Sequence, residues 1–478
     1  MNIIVAIDNK NGIGNKGKIP WFIKSDLSYF KKVTTHTNTI LLKNIVIMGR
    51  KTWDSLPTSV KPLPDRINII LSKTISEPLF QGGFVCKSMD ACFELIQTLE
   101  HANKNNIFII GGSHIYKEAI HHKMTQKLYI TKVYNTFECD TWFPEIDKNT
   151  YKLTHVSPFY NENNIYYRHL IYNNIKNESL SKDILWKNKE EYQYINCLNK
   201  ILKIGIEKND RTGVGTLSVF GETFKYDLSD TFPLLTTKKM FVRGVFEELK
   251  FYLSGKTDNT ILNNKKVNIW NGNTTRDFLD SRGLSHYPVG DMGETYGFNF
   301  RHYGAKYITC KEDYTGQGFD QLENAIHLIK NDPDSRRIII DIWNCSTIDK
   351  SALPPCLCKY QFYVDSINNK LDLMIYIRSS DFFLANNWNT CTGAFLVHMI
   401  CNLQDIHLKP GILTVITGDT HIYKTHLQQV KQNIEREPYP FPKLIVKEKK
   451  SNIMDFEYSD LKLIGYESHS NIPAPMAV

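Results

Sequence analysis

Residues 107–116 read "IFIIGGSHIY". Four consecutive apolar residues suit a strand buried on both faces, as in a parallel sheet. The Gly-Gly that ends the run leads straight into a segment with helical patterning. Strand, tight turn and helix in succession are the repeating unit of an α/β domain. The same pattern extends in both directions: "NIIVAI" (2–7), "NIVIMG" (44–49), "INIILS" (67–72) and "KLYITKVY" (127–134) are further apolar runs bounded by Gly, Asn or Pro. Between them, "DLSYFKKVT" (26–34) and "MDACFELIQTLE" (89–100) place apolar residues at helical spacing, the second behind Ser88 as a helix cap. Residues 1–172 therefore predict an α/β domain on a mostly parallel sheet.

Residues 173–189 lose this pattern and gain Asn, Lys and Ser, which predicts a short polar linker. From residue 190 the chain mixes helical segments, "EEYQYINCLNKILKIGIE" (190–207) and "VRGVFEELKFYLSG" (242–255), with β-rich runs. The latter include "TLSVFGETFKYDL", "RRIIIDIWN", "KYQFYVDSINNKLDLMIYIRSS" and "ILTVITGDTHIY". Residues 190–478 predict an α+β domain built on one substantial sheet.

The whole has 478 residues, too many for one ordinary core and enough for two or three domains. No apolar run is long enough to span a membrane, and "MNIIVAIDNKNG" opens as a strand rather than a secretory signal. Ten cysteines without framework spacing predict thiols in a cytoplasmic setting. There is no CxxC, and the lone CxC at Cys356 and Cys358 lacks a partner cluster, so no metal site is expected. Residues 1–172 hold 21 basic against 14 acidic side chains, while the remainder is nearly balanced. A basic first half suits anionic small ligands or, equally, nucleic acid.

Three local features in the first half carry chemistry. Asp26 is a lone carboxylate at a helix start, after "IPWFIKSD". Arg50 and Thr52 follow a strand in "IMGRKTW", and Gly111-Gly112 sits between strand and helix. The last two can hold phosphate on backbone N–H groups, although each alone is also compatible with a plain turn. No GxGxxG fingerprint occurs. Taken in order, "VAIDNKNGIGNKGKIPWFIKSDL", "IVIMGRKTWDSL", "PLPDRINIILS", "IFIIGGSHIY", "LYITKV" and "CDTWFP" resemble dihydrofolate reductase across essentially all of 1–172.

That resemblance implies hydride transfer from NADPH to dihydrofolate. Asp26 would bind the pterin and favour its protonation, with Thr131 behind it, Phe30 stacking on the folate and Arg66 clamping the folate carboxylate. Ala6, Ile13, Gly14 and Ile110, Gly111 and Gly112 would contact nicotinamide and diphosphate. Gly49, Arg50, Lys51, Thr52, Ser72, Lys73, Ser113, His114 and Ile115 would complete the NADPH site around its phosphates. A cis peptide is implied between Gly111 and Gly112.

In the second half, "ALPPCLCKYQFYV" (352–364) offers Cys356 and Cys358 one residue apart. A nucleophilic thiol needs cationic neighbours, and the spacing alone leaves a buried structural role open for either. The motifs "DRTGVGTLSVFGETFKYDLSDTFPLLTTKK", "FEELKFYLSG", "IWNGNTTRDFLDSRGL", "YGFNFRHYGA", "DPDSRRIIIDIWN", "ALPPCLCKYQFYV", "RSSDFFLANNWN", "GDTHIY" and "APMAV" resemble thymidylate synthase over about 190–478. Together the halves resemble the bifunctional dihydrofolate reductase–thymidylate synthase family.

This second resemblance implies that Cys356 adds to C6 of dUMP, with 5,10-methylenetetrahydrofolate as co-substrate and Cys358 a buried neighbour. Arg211, Arg378 and Ser379 would bind the dUMP phosphate, and Arg336 and Arg337 would reach in from the partner of a homodimer. Glu248 would organise water and move protons, and Tyr296 would help remove the C5 proton. Asn389 would read the uracil edge, Asp381 would lie against the pterin, and His421 and Tyr423 would hold the ribose. Trp270 and Asn273 would line the folate pocket, which Val478 would close. The chain departs from the family pattern at Leu357, where His is usual, at Asn271, at Ile377, and in "Leu384-Ala385-Asn386-Asn387-Trp388-Asn389". A deoxycytidylate hydroxymethylase-like second half and a non-catalytic nucleic-acid-binding regulator are the alternatives. Asn389 argues against the first, and intact Cys356, Glu248 and Asp26 against the second.

Overall fold

A computed structural model describes residues 1–37, 41–176, 185–210 and 212–476. The chain forms two compact units, residues 1–186 and 187–478. Of the expected linker, residues 177–184 lie outside the described residues, as do Arg211 and Val478.

The first unit is built on strands β1 (Asn2–Ile7), β2 (Lys43–Gly49), β3 (Arg66–Leu71), β4 (Ala102–Gly111), β5 (Lys127–Val133) and β6 (Ile165–Asn174). They run in the order β6-β5-β1-β4-β2-β3, and every pair except β5 with β6 is parallel. Short strands extend both edges. Four helices connect them: α1 (Lys24–Thr35), α2 (Arg50–Ser55), α3 (Met89–Thr98) and α4 (Ser113–Ile120). The Ser88 hydroxyl accepts from Ala91 N–H at 3.2 Å and caps α3, as its position predicted. Both faces of the sheet are apolar because helices cover both. One core holds Ile3, Ile47 and Ile109, the other Val46, Met48 and Trp53.

In the second unit, six strands form a mixed sheet. Its long members are β7 (Thr216–Asp227), β8 (Leu357–Asp365), β9 (Lys370–Asp381) and β10 (Lys409–Tyr423), in the order β7-β10-β9-β8. Only β9 and β10 are parallel. Against one face lie α5 (Lys189–Ile204), α6 (Val242–Leu253), α7 (Tyr296–Arg301) and α8 (Asn386–Cys401). Helix α8 is buried almost throughout, from Asn386 to Cys401, so it lacks a polar stripe and serves as the spine of the core. Alternate residues of β9 (Leu371, Leu373, Ile375 and Ile377) point into that core, and those between them do not. The segment "RRIIIDIWN" contributes only three residues, Ile339–Asp341, as an edge strand. No helix among the described residues is long and apolar enough to cross a membrane.

Two candidate active sites

Parallel strands present their C-terminal ends along one edge, where α/β folds bind ligands. Register brings Gly49 opposite Leu71, and Met48 opposite Gly111. Gly49, Arg50, Lys51 and Thr52, Ser72 and Lys73, and the run from Ile110 to Ile115 therefore gather at that edge. The expected cis peptide between Gly111 and Gly112 is present. A Cβ would lie 3.1 Å from Thr52 Oγ1 at Gly111 and 3.2 Å at Gly112, so glycine keeps this turn bare of side chain. Arg50, Lys51, Lys73 and His114 are exposed around it. Arg50 donates to Thr74 Oγ1 at 2.7 Å, and Ser72 Oγ accepts from the N–H groups of Thr74 and Ile75. Ala6 on β1, with Ile13 and Gly14 on the short strand Gly12–Gly14, are half-buried.

Asp26 sits in the first turn of α1, but it does not cap the helix. Glu162, from the edge strand Tyr160–Glu162, accepts from Lys24 N–H at 2.7 Å and Ser25 N–H at 3.1 Å, closing the helix end from outside. That leaves the Asp26 carboxylate turned inward, where Thr131 Oγ1 donates to it at 2.6 Å. Burial pushes Asp26 up to about 6; the Thr131 hydrogen bond opposes this and the Glu162 charge adds to it. Thr131 and His169 face each other across β5 and β6, with Oγ1 and Nδ1 3.1 Å apart. A hydroxyl that donates its one proton to Asp26 can only accept from His169, so Nδ1 carries the imidazole proton. Burial lowers His169 to about 4, which keeps it neutral, and its ring stacks on Tyr29 at 3.7 Å. Neither His169 nor Glu162 was visible from sequence spacing; both need the β5–β6 register to find. Arg66 donates to Thr34 Oγ1 at 2.8 Å and Pro64 O at 2.9 Å, which holds its guanidinium 5.7 Å above the Phe30 ring.

In the second unit Cys356 ends a loop braced by Arg378. The guanidinium donates from Nε to Pro355 O at 2.9 Å and from Nη2 to Pro354 O at 3.1 Å, while Arg378 N–H reaches Cys356 O at 2.8 Å. Arg378 also lies 5.0 Å over the Trp343 ring. The Tyr296 hydroxyl accepts from Cys356 N–H at 2.8 Å and Leu357 N–H at 3.4 Å. Burial raises the Tyr296 pKa far above its usual value, so it keeps its own proton to donate. Its ring stacks on Tyr252 at 4.6 Å, and Tyr252 donates to Glu248 Oε1 at 2.7 Å.

Glu248 also accepts from Trp270 Nε1 at 2.7 Å on Oε1 and from Trp388 Nε1 at 2.6 Å on Oε2. Burial raises its pKa, and the three donors oppose that. Tyr252, four residues on along α6, could have been found by helical spacing. Asn389 is half-buried on the first turn of α8. Asp381 Oδ1 accepts from the N–H groups of Phe383 and Leu384 just before that helix. Across the strands Ser379 faces Asp419 and Asp381 faces His421, whose Nδ1 is 2.9 Å from Asp419 Oδ1 and whose ring meets Tyr423 edge-on at 5.2 Å. Asn273 is buried next to Trp270 in a single 3-10 turn, Gly272–Thr274. Arg336 and Arg337 are exposed and form no ion pair among the described residues.

The departures have physical roles. Leu357 is 2% exposed and its side chain belongs to the main core, against which Cys356 also packs. Cys358 is buried too, and burial pushes its thiol up to about 11. Asn387 accepts from Leu235 N–H and donates to Pro233 O at 2.8 Å, tying α8 to the loop before α6. Asn271 accepts from Asn259 Nδ2 at 3.0 Å.

Two family models match the chain: dihydrofolate reductase over residues 1–174 and thymidylate synthase over residues 192–478. The chain is 38% identical over 506 residues to a bifunctional dihydrofolate reductase-thymidylate synthase of Zea mays, covering all of this chain and 96% of the relative. It is 40% identical over 479 residues to the same-named protein of Paramecium tetraurelia, covering all of this chain and 98% of the relative. With that of Plasmodium berghei (strain Anka) it shares 36% over 558 residues, covering 98% of this chain and 94% of the relative.

Proposed function

Because the chain belongs to the bifunctional dihydrofolate reductase–thymidylate synthase family, we propose that Asp26 serves one of its two reactions and Cys356 with Glu248 the other. The enzyme methylates dUMP reductively to dTMP with 5,10-methylenetetrahydrofolate, and reduces the resulting dihydrofolate to tetrahydrofolate with NADPH. The reductase domain is assigned to 1–172, the polar linker to 173–189 and the synthase domain to 190–478.

In the reductase domain NADPH supplies the hydride. The bare Gly111–Gly112 turn and the exposed cations Arg50, Lys51 and Lys73 fit a phosphorylated dinucleotide lying on backbone. Thr131 occupies one oxygen of Asp26 and leaves the other for the pterin, and a carboxyl held at about 6 can share a proton with it near neutral pH. Arg66, beside Phe30, is placed to pair with the folate carboxylate.

In the synthase domain the Cys356 thiolate attacks C6 of dUMP, moving the C5–C6 electron pair to C5, which then attacks the methylene carbon as its bond to a folate nitrogen breaks. Loss of the C5 proton, departure of the folate, hydride transfer from that tetrahydrofolate to the methylene and release of the Cys356 thiolate give dTMP and dihydrofolate. Arg211, Arg378 and Ser379 hold the phosphate, His421 and Tyr423 the ribose, and Asn389 the uracil edge. Asp381, Trp270, Asn273 and Val478 form the folate side. One connected arrangement supports this reading: Cys356 N–H on Tyr296, Tyr296 stacked on Tyr252, and Tyr252 on Glu248. Incubation with 5-fluoro-dUMP and methylenetetrahydrofolate, followed by peptide mapping, should place the covalent adduct on Cys356. A label on Cys358, or none, would overturn it.

The working unit is a cytoplasmic homodimer joined through the synthase domain. The sheet face turned away from the core carries the register partners Tyr376 and Ile416, with Tyr376 exposed. Exposed Arg336 and Arg337 suit a phosphate in the partner subunit's site. Mixing inactive Cys356→Ser with inactive Arg337→Ala subunits should then restore some synthase activity; no recovery after subunit exchange counts against sharing.

A further inference from the structure

The geometry points to Trp388 as a positioning residue of the synthase site: its indole N–H fixes the orientation of Glu248 and ties α8, which carries Asn389, to α6. This rests on the reading of Glu248 as the synthase carboxylate. Trp388 was visible in the sequence only as a departure from the family pattern.

Two independent observations carry the inference. The first is the hydrogen-bond set. Oε1 of Glu248 is taken by Tyr252 and Trp270, both at 2.7 Å, and Trp388 at 2.6 Å is the donor on Oε2. Donors on both oxygens stop the carboxylate from rotating about its terminal bond. Tyr252 is on the same helix as Glu248 and Trp270 on the segment that follows it, whereas Trp388 comes from the far end of the sequence. It alone makes the position of Glu248 depend on that of Asn389, its neighbour in sequence.

The second observation is the space provided for the ring. Gly244 lies four residues before Glu248 on α6, hence on the same helical face. A Cβ there would come within 2.9 Å of Trp388 Cη2 and 2.5 Å of the Phe241 ring. Glycine is costly in a helix interior, and here its missing side chain makes room for the Phe241 ring and the edge of the indole together. Gly244 and Trp388 thus act as a matched pair.

The residue after the nucleophile cannot substitute for this donor, because Leu357 is apolar and faces the core. The other titratable groups facing Glu248 are Tyr252 on α6, Tyr296 on α7 and Tyr360 on β8, and burial keeps all three protonated. Glu248 is accordingly the carboxyl among them, and burial displaces its titration above the ordinary carboxylate range. Losing an N–H donor destabilises the carboxylate and moves its titration to higher pH.

Trp388→Phe removes the N–H and keeps an aromatic ring. The expected result in the full-length enzyme is a fall of about tenfold in synthase kcat, with the acid limb of its pH profile displaced upward by about one unit. KM for dUMP should stay within about twofold, and dihydrofolate reduction should be unchanged. Gly244→Ala, which keeps the N–H but crowds the ring, should show the same displacement, and adding it to Trp388→Phe should cost little more. A lower kcat with an unmoved acid limb, or a change confined to KM or thermal stability, would overturn the inference. Trapping with 5-fluoro-dUMP separates the two levels. If wild type is labelled at Cys356 and Trp388→Phe behaves as wild type, only the role of Trp388 fails. If wild type is not labelled there, the site assignment fails and this inference with it.

Discussion

Asp26 and Glu248 are the carboxylates proposed to react in the two units, and burial raises the pKa of both. What differs is the donor set. Asp26 receives one protein hydrogen bond among the described residues, from Thr131, and its second oxygen is left for a ligand. Glu248 receives three, on both oxygens. On the proposed roles, the carboxylate that touches substrate is left partly unsatisfied, and the one that acts through water is fully held. The contrast shows that burial alone does not define a role; the number and direction of donors do.

The strongest challenge to the comparison is Cys356→Ser. If the two sites run separate chemistry, dTMP formation should fall at least about a thousandfold, while NADPH-dependent dihydrofolate reduction stays at the wild-type rate. A parallel loss of reduction would mean that the sites are not separable in this way.

Asp26→Asn tests the other side. Reduction at neutral pH should drop about a hundredfold or more while NADPH binding, followed by fluorescence, survives. The same variant probes the cost of leaving a carboxylate under-satisfied. Folded Asp26 titrates at about 6, above its unfolded value, so the folded state binds that proton more tightly and stability falls as pH rises from about 4 to about 6. Asparagine mimics the protonated form. Amide exchange in β1 and β5 should therefore show the variant more stable by up to about 3 kcal/mol at pH 8, with the difference vanishing near pH 4. An equal difference at both pH values would mean that Asp26 is not held away from its ordinary titration.

The comparison also explains what could be read early. The mostly parallel sheet, the α+β second half, Ser88 as a cap and the bare Gly111–Gly112 turn were legible because each depends on residues close together in sequence. Asp26, Cys356 and Glu248 stood in motifs long enough to be matched in order. Thr131 behind Asp26 was expected from the family resemblance, but the wider contacts around these groups were not legible. Thr131 with His169, Glu162 at the end of α1, and Trp388 against Gly244 are pairings set by strand register and helix packing across scores of residues. Leu357 was misleading for a related reason. Against the family pattern it looked like a missing histidine beside the thiol, whereas the break in strand register between Leu357 and Lys359 puts its side chain in the core. Leu357→His therefore should not improve the synthase. Burying an imidazole there should destabilise the second unit by about 3 kcal/mol in urea denaturation; a variant of unchanged stability and faster turnover would reverse this view.

The smallest effect belongs to Cys358, and it isolates the proposed nucleophile from its neighbour. Its thiol points at the carbonyls of Pro355 and Cys356 at 3.5 Å, where S–H is only a weak donor, and burial holds it protonated with a pKa of about 11. A protonated, enclosed thiol is a poor nucleophile. Cys358→Ala removes one sulfur from a packed site, so the loss should be about 1 kcal/mol of stability, with synthase kcat and KM each within about twofold. Adduct formation with 5-fluoro-dUMP should persist at wild-type stoichiometry and map to Cys356. A Cys358→Ala enzyme that no longer forms the adduct would make the second cysteine a participant, and the clean division between a reacting thiol and the buried groups behind it would fail in this unit.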